Sequence, residues 1–121
     1  MGNYKELLVW QKSVDFVTEI YTCTKNFPKE ELYSLTSQIR CSSISIPSNI
    51  AEGHSRRSTL DYLQFLKIAR GSCAELETQL IISRNLNYLT IEEFQNFSEK
   101  TSEVSKMLNA IITKLQSSPN P

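Results

Sequence analysis

The scarcity of residues that interrupt helices constrains the fold of this chain more than any other feature. The chain has 121 residues, and only two of its four prolines, Pro28 and Pro47, come before residue 118. It has three glycines. Sandwiches and barrels need turns at short intervals, and turns are rich in glycine and proline. The sequence therefore predicts long helices, and its length suits one compact domain with a single core.

Four segments place apolar residues at alternating steps of three and four, which is the spacing of an amphipathic helix. They cover about residues 4–26, 28–53, 59–87 and 90–115. Thr90 with Glu93 forms a capping box at the start of the last segment, and Ser58 with Asp61 is a second candidate cap. The links between segments are short, and short links place successive helices antiparallel. The prediction is an all-α, up-down-up-down four-helix bundle over residues 1–116, with a disordered tail at 117–121.

Pro47 falls inside the second predicted helix, where a proline removes one backbone hydrogen bond and usually kinks the helix. Three polar residues lie near this point: Gln38, Ser45 and Asn49. They either bond the carbonyl that Pro47 releases or line a functional surface, and the first interpretation is favoured.

The first helix carries two apolar stripes, one through Trp10 and one through Phe16 and Ile20. The packing of a helix in a four-helix bundle buries only one such stripe. A monomer seldom leaves a second apolar stripe exposed to water. The sequence therefore predicts a homo-oligomer whose subunits meet near Trp10, Phe16 and Ile20.

The residue types needed for catalysis or metal binding are scarce. His54 is the only histidine, so a di-iron bundle with two Glu-x-x-His pairs cannot be built. The three cysteines, Cys23, Cys41 and Cys73, form no C-x-x-C pair and are interpreted as reduced, mostly buried thiols. We expect no enzyme activity, no cofactor and no metal. No targeting or membrane segment is recognisable, so a cytoplasmic protein is expected.

Charge is balanced overall but not locally. Thirteen lysines and arginines offset thirteen acidic residues, yet residues 37–72 carry a net charge of +3 and residues 73–103 a net charge of −4. Arg56 and Arg57 lie between two helices, where a helix start already favours anions. Either a phosphate docks there, or the two arginines offset the C-terminal dipole of the preceding helix or pair with Glu52 and Asp61. The predicted nucleic-acid surface consists of Arg40, Arg56, Arg57, Lys67 and Arg70.

Residues 35–53 (LTSQIRCSSISIPSNIAEG) and 71–80 (GSCAELETQL) resemble the bacterial four-helix-bundle family encoded by intervening sequences of 23S rRNA genes. LVWQK at 8–12 and NYLT at 87–90 fit the same pattern. The resemblance implies a ring-like homopentamer. It also implies kinship with the accessory variability protein of diversity-generating retroelements, a basic pentamer that engages a reverse transcriptase and nucleic acid. Cys41 stands where the family often has a second basic residue after Arg40.

Two functions from different classes stay open at this point. The first is a non-catalytic oligomeric interaction protein that binds RNA, DNA or a nucleic-acid-processing partner through its basic surface. The second is a purely structural homo-oligomer without a nucleic-acid role.

Overall fold

The computed structural model describes residues 3–117 and contains four α-helices. They are α1 (Leu8–Thr24), α2 (Leu35–His54), α3 (Thr59–Asn85) and α4 (Ile91–Gln116), and the short 3-10 turns Tyr4–Glu6 and Lys29–Glu31 precede α1 and α2. No strand occurs in this part of the chain. The all-α prediction is therefore confirmed. Of the predicted tail, only Ser117 is described, and it caps the end of α4; residues 118–121 lie outside the described residues.

Each helix packs against two others, as in a four-helix bundle. α1 contacts α2, α2 contacts α3, α3 contacts α4, and α4 contacts α1 again, with the most extensive contact between α2 and α3. Apolar side chains from all four helices fill the space between them. The core residues with almost no exposure include Phe16, Ile20, Ile39, Ile46, Ile50, Leu66, Leu76, Val104 and Leu108. Burial of these side chains is the main driving force for the fold.

Polar side chains mark the helix starts as the sequence predicts. The Thr90 hydroxyl accepts a hydrogen bond from the Glu93 backbone N–H at 3.0 Å, and the Glu93 carboxylate accepts one from the Thr90 N–H at 2.9 Å. The Ser58 hydroxyl accepts one from the Asp61 N–H at 3.1 Å. These bonds satisfy amide groups that have no partner inside the helix.

The end of α3 differs slightly from the prediction. The helix ends at Asn85, because Asn87 adopts a left-handed backbone with φ of 63°. The backbone N–H of Tyr88 then donates to the Ser83 carbonyl and that of Asn87 to the Arg84 carbonyl, both at 2.9 Å. This is a Schellman cap, and asparagine tolerates the left-handed region better than most residues do.

The helical spacing predicts a start for α2 near residue 28, earlier than the structure shows. The helix begins at Leu35, and residues 29–31 form a 3-10 turn instead. The Glu31 carboxylate accepts hydrogen bonds from the Ser34 hydroxyl at 2.8 Å and from the Leu35 N–H at 3.5 Å. These bonds set the helix start at Leu35 and leave Leu32 44% exposed, outside the buried stripe.

The first helix is also shorter than predicted. Leu7 has an extended backbone, with φ of −73° and ψ of 125°, and it separates the turn at Tyr4–Glu6 from α1. The Asn3 side chain accepts a hydrogen bond from the Lys5 N–H at 2.8 Å, which stabilises that separate turn.

A single hydrogen bond joins the α1–α2 link to the α3–α4 link. The Tyr88 hydroxyl donates to the Glu31 carboxylate at 2.9 Å. Hydrogen bonds from Ser34 and Tyr88 lower the pKa of Glu31, and the bond to Glu31 raises the pKa of Tyr88. The rings of Tyr88 and Phe27 pack beside this bond, with centroids 5.3 Å apart. The two links are therefore held together at one end of the molecule.

Within residues 3–117, no helix combines the length and the apolar character needed to cross a membrane.

Candidate nucleic-acid interface

The turn between α2 and α3, called the corner from here on, carries two adjacent arginines, Arg56 and Arg57. Arg56 forms an ion pair with Glu52 at 2.9 Å, and its guanidinium lies over the Phe65 ring, 5.1 Å from the centroid. Its side chain nevertheless keeps 46% of its exposure. Arg56 is therefore positioned by the protein and still open to water.

Arg57 is exposed. Among the described residues it makes no ion pair and no side-chain hydrogen bond. It precedes Ser58, the cap of α3, so its charge lies beside the positive end of that helix. Asp61 in the first turn offsets part of this potential. Arg57 is the cation of this corner with the fewest competing contacts.

Gly53 allows the corner to close. A Cβ atom at position 53 would lie 2.6 Å from the Cβ of Phe65 and 3.1 Å from the Tyr62 ring. His54 packs edge-on against the same Tyr62 ring, with centroids 5.5 Å apart. The end of α2 can approach the start of α3 this closely only without a side chain at position 53. This approach fixes the turn on which Arg56 and Arg57 lie.

Lys67 and Arg70 continue the positive charge along α3. Both are exposed and lie about 12 and 17 Å beyond the start of the helix, at about 1.5 Å per residue. The Arg70 guanidinium donates a hydrogen bond to the Asn109 side chain on α4 at 2.9 Å. Arg70 also lines a groove between α3 and α4, together with Lys106 of α4 and the acidic Glu77. Charge patterns within one stretch of chain do not identify Lys106, because this residue comes near Arg70 only through the packing of α4 against α3.

Arg40 is not part of this group. It lies in the first half of α2, about 21 Å before the end of the helix at His54, and Arg56 lies beyond that end. Its side chain donates to the Thr24 hydroxyl at 2.9 Å and to the Tyr21 carbonyl at 3.4 Å, and its guanidinium lies over the Tyr21 ring. Arg40 therefore binds the end of α1, where a cation is favoured by the helix dipole. The structure does not bring the five predicted residues onto one surface.

The three residues predicted at a subunit contact occupy different environments. Phe16 and Ile20 are 2% and 1% exposed, because α1 packs against both α2 and α4 and these side chains fill the core. Their assignment to a contact surface was wrong. Trp10 is half-buried beside the Tyr4 ring, with centroids 5.3 Å apart. Of the three, only Trp10 keeps surface that a second subunit could cover.

The polar residues near Pro47 do not bond the carbonyl that it releases. A proline at 47 leaves the Ser43 carbonyl without its usual helical donor. The Asn49 side chain instead donates to the Ser45 carbonyl at 2.7 Å and to the Ser45 hydroxyl at 2.9 Å. The Ser45 and Ser72 hydroxyls are 2.8 Å apart. These side chains therefore form a polar connection between α2 and α3.

A model of the 23S rRNA-intervening sequence protein family matches residues 5–110. The chain belongs to this family. The family resemblance read from residues 35–53 and 71–80 is thereby confirmed. The match includes the corner between α2 and α3, the cations of α3, and Lys106 of α4.

One similar solved structure comes from Bacteroides thetaiotaomicron VPI-5482 and is described as a protein with unknown function from the S23 ribosomal protein family. It shares 29% sequence identity with this chain, and the alignment covers 88% of this chain and 96% of that one with a TM-score of 0.82. No curated protein matches the chain. The comparisons therefore establish the family and the fold.

The three cysteines are free and differ in exposure. Cys73 is buried, Cys23 is half-buried and Cys41 is exposed, so the expectation of mostly buried thiols misses Cys41. Burial raises the pKa of Cys73 to about 12, with a smaller contribution from Glu77. Burial and then Glu93 raise the pKa of Cys23 to about 12. Because the thiolate is the reactive form, Cys23 and Cys73 should react slowly.

We expect a thiol reagent such as DTNB at pH 8 to modify one thiol per chain rapidly, and that thiol is Cys41. The variant Cys41→Ser should lose the fast phase while keeping the helical circular dichroism spectrum. Rapid modification of two or three thiols in the folded protein would contradict the burial described here.

Proposed function

We propose that this member of the family is a non-catalytic interaction protein that binds the phosphate backbone of RNA or DNA at the corner between α2 and α3. The observation that carries the proposal is the exposure of Arg57 without an ion pair within residues 3–117, directly before the start of α3. Guanidinium groups and helix starts both favour phosphate. The contacts are made to the backbone and do not read sequence.

Arg56 can join Arg57 in this contact. Its partner Glu52 is 53% exposed, and exposed ion pairs contribute little free energy, about 0–1 kcal/mol. A guanidinium also has five N–H donors, so Arg56 can keep Glu52 and still donate to a phosphate. Lys67, Arg70 and Lys106 extend the positive charge away from the corner.

We further propose that the protomer is an up-down-up-down antiparallel bundle and that five copies form a ring. Two ion pairs between α1 and α4 support the antiparallel order: Lys12 pairs with Glu103, whereas Glu19, further along α1, pairs with the earlier Lys100. A ring repeats the corner five times. Repetition lets a chain without net charge bind a polyanion, because the sites act together.

A partly exposed apolar strip on α1 supports assembly. Trp10, Val14, Val17 and Tyr21 lie at helical spacing and are all half-buried in the protomer. A second copy that covers this strip would remove apolar surface from water. We place the contact at this strip and assign the protein to the cytoplasm, where three free cysteines stay reduced.

Pro47 offers a test of the ring. It is buried inside α2, and its kink would set the angle at which subunits meet. We expect Pro47→Ala to leave the free energy of unfolding of the protomer unchanged or higher, because a backbone hydrogen bond is restored, and to lower the mass of the oligomer. Light scattering after size exclusion measures the mass. An unchanged mass together with an unchanged helix path in a crystal structure would argue against this role.

A gel shift at low salt tests the binding of nucleic acid. The protein is first washed at high salt until the 260/280 absorbance ratio shows that no nucleic acid remains. We expect the wild type to shift single-stranded RNA or DNA and the variant Arg56→Ala/Arg57→Ala to bind much more weakly. The control Lys25→Ala/Lys29→Ala removes the same charge from the exposed α1–α2 link and should bind like the wild type.

The purely structural homo-oligomer is the second candidate. The observation in its favour is the balance of thirteen basic and thirteen acidic residues, together with the pairing of Arg56 with Glu52. A wild type that shifts no nucleic acid at low salt would establish this alternative in place of the first.

A further inference from the structure

The outer face of α3 has no partner in the protomer. α3 packs against α2 and α4 with one side and leaves the other in water. Two large apolar side chains lie near the two ends of this face: Leu60 is 71% exposed and Ile82 is 42% exposed. Gly71 lies midway between them and is also exposed. From here on, the outer face means the exposed stripe of α3 from Leu60 to Ile82 that passes through Gly71.

No contact within the protomer explains why residue 71 is a glycine. It lies in the interior of a 27-residue helix, where glycine is less favourable than alanine by about 1 kcal/mol. A Cβ atom there would meet nothing within 4 Å, and its φ is not positive. Gly53 is different, because its Cβ would collide with Phe65. The absence of a side chain at 71 suits the close approach of another backbone from outside the chain.

The residues on the outer face are arranged symmetrically about Gly71. Leu60 and Ile82 lie eleven residues before and after it, and both are apolar. Lys67 and Glu75 lie four residues before and after it, and they have opposite charge. Both are exposed, and neither forms an ion pair in the part of the chain that the structure describes. A face with this pattern is complementary to itself when it is turned by 180°.

We propose that the outer face of α3 binds the outer face of α3 in a second copy of this chain, with the helices antiparallel and a twofold axis at Gly71. In this arrangement each residue lies opposite the one at the same distance on the other side of Gly71. Lys67 of each copy faces Glu75 of the other, and Leu60 of each faces Ile82 of the other. The glycines meet on the axis and let the helices approach to about 8 Å, the short end of the usual range. Such an isologous contact closes on itself and makes a dimer.

This contact uses Lys67, which also belongs to the proposed nucleic-acid surface, but it does not involve Arg56 or Arg57 and does not require the proposed ring. Contacts around a ring are heterologous, so they do not place a residue against its own copy. If the ring also forms, the α3 contact joins two rings. The α3 contact is therefore recognised by its symmetry and not by the mass of the assembly alone.

Disulfide trapping tests the twofold axis. In a Cys41→Ser background, a mixture of the Gln64→Cys and Thr78→Cys variants should form a disulfide-linked dimer of twice 13.9 kDa under mild oxidation, because the twofold axis places these two positions opposite each other. Thr78→Cys alone should not, because its copy lies about 21 Å away along the helix. Gln64→Cys alone should not crosslink either, for the same reason. Failure of the mixture to crosslink, or equal crosslinking of Thr78→Cys alone, would overturn the proposal.

A charge swap tests the pairing without cysteines. We expect Lys67→Glu to weaken dimerisation roughly tenfold, because two attractive contacts become repulsive. The variant Lys67→Glu/Glu75→Lys should restore it, because the swap recreates both pairs. Sedimentation velocity on protein freed of nucleic acid gives the dissociation constants, so the outcome does not depend on nucleic-acid binding. If the double variant is as weak as the single one, or if neither differs from the wild type, the pairing is wrong.

Discussion

Replacing Gly53 with alanine should lower the free energy of unfolding by about 1–3 kcal/mol. The added Cβ would lie 2.6 Å from the Cβ of Phe65, an atom attached directly to the backbone of α3 that cannot rotate away. Relief therefore requires the two helices to separate at the corner. Urea unfolding followed by circular dichroism measures the loss. The same change should also alter nucleic-acid binding, because the turn that carries Arg56 and Arg57 would shift.

Gly71→Ala is the matched control for this prediction. It is also a glycine-to-alanine change within a helix, but its Cβ would meet nothing within 4 Å. Alanine at this position should therefore raise the free energy of unfolding of the protomer by about 0.5–1 kcal/mol through helix propensity, measured at a protein concentration where the α3 contact is dissociated. Equal effects of the two substitutions would show that the close approach at Gly53 does not hold the corner.

Leu76→Ala should have the larger effect on stability, a loss of about 2–5 kcal/mol. Leu76 lies in the middle of α3, has no exposed surface and packs in the core shared by the four helices. Truncation removes buried apolar atoms and leaves a cavity that the surrounding helices fill only in part. Chemical denaturation of both proteins gives the difference.

Ile91→Ala is the control for Leu76→Ala, because it also removes a large aliphatic side chain but from an exposed position. Ile91 is the first residue of α4 and is 63% exposed, so its removal should change the free energy of unfolding by no more than about 0.5 kcal/mol. A similar loss at both positions would mean that the core does not lie where the structure places Leu76.

Local signals predicted the helices and most of their ends. The capping residues Thr90, Glu93 and Ser58 act as their spacing indicates, because a cap depends only on neighbours in the chain. The start of α2 was missed because the Glu31 carboxylate, a side chain with no helical signature of its own, bonds Ser34 and Leu35. Helical spacing could not detect that competition.

The candidate site depended on contacts between helices, which the sequence does not give directly. Arg40 is separated from Arg56 because Arg40 lies in the first half of α2 and Arg56 follows the end of that helix, and Arg40 binds the end of α1 instead. Lys106 reaches the α3 groove from α4. Phe16 and Ile20 face the core because α1 contacts two helices at once, so a wide apolar arc is covered within one chain.

The salt dependence of affinity for single-stranded RNA tests the phosphate-binding proposal most directly. Each phosphate that the protein neutralises contributes a slope of about −0.7 to the plot of log affinity against log salt. We predict a clear negative slope for the wild type and a slope flatter by about 1.4 for Arg56→Ala/Arg57→Ala, with helical content unchanged. An affinity that does not depend on salt, or the same slope for both proteins, would contradict binding at the corner between α2 and α3.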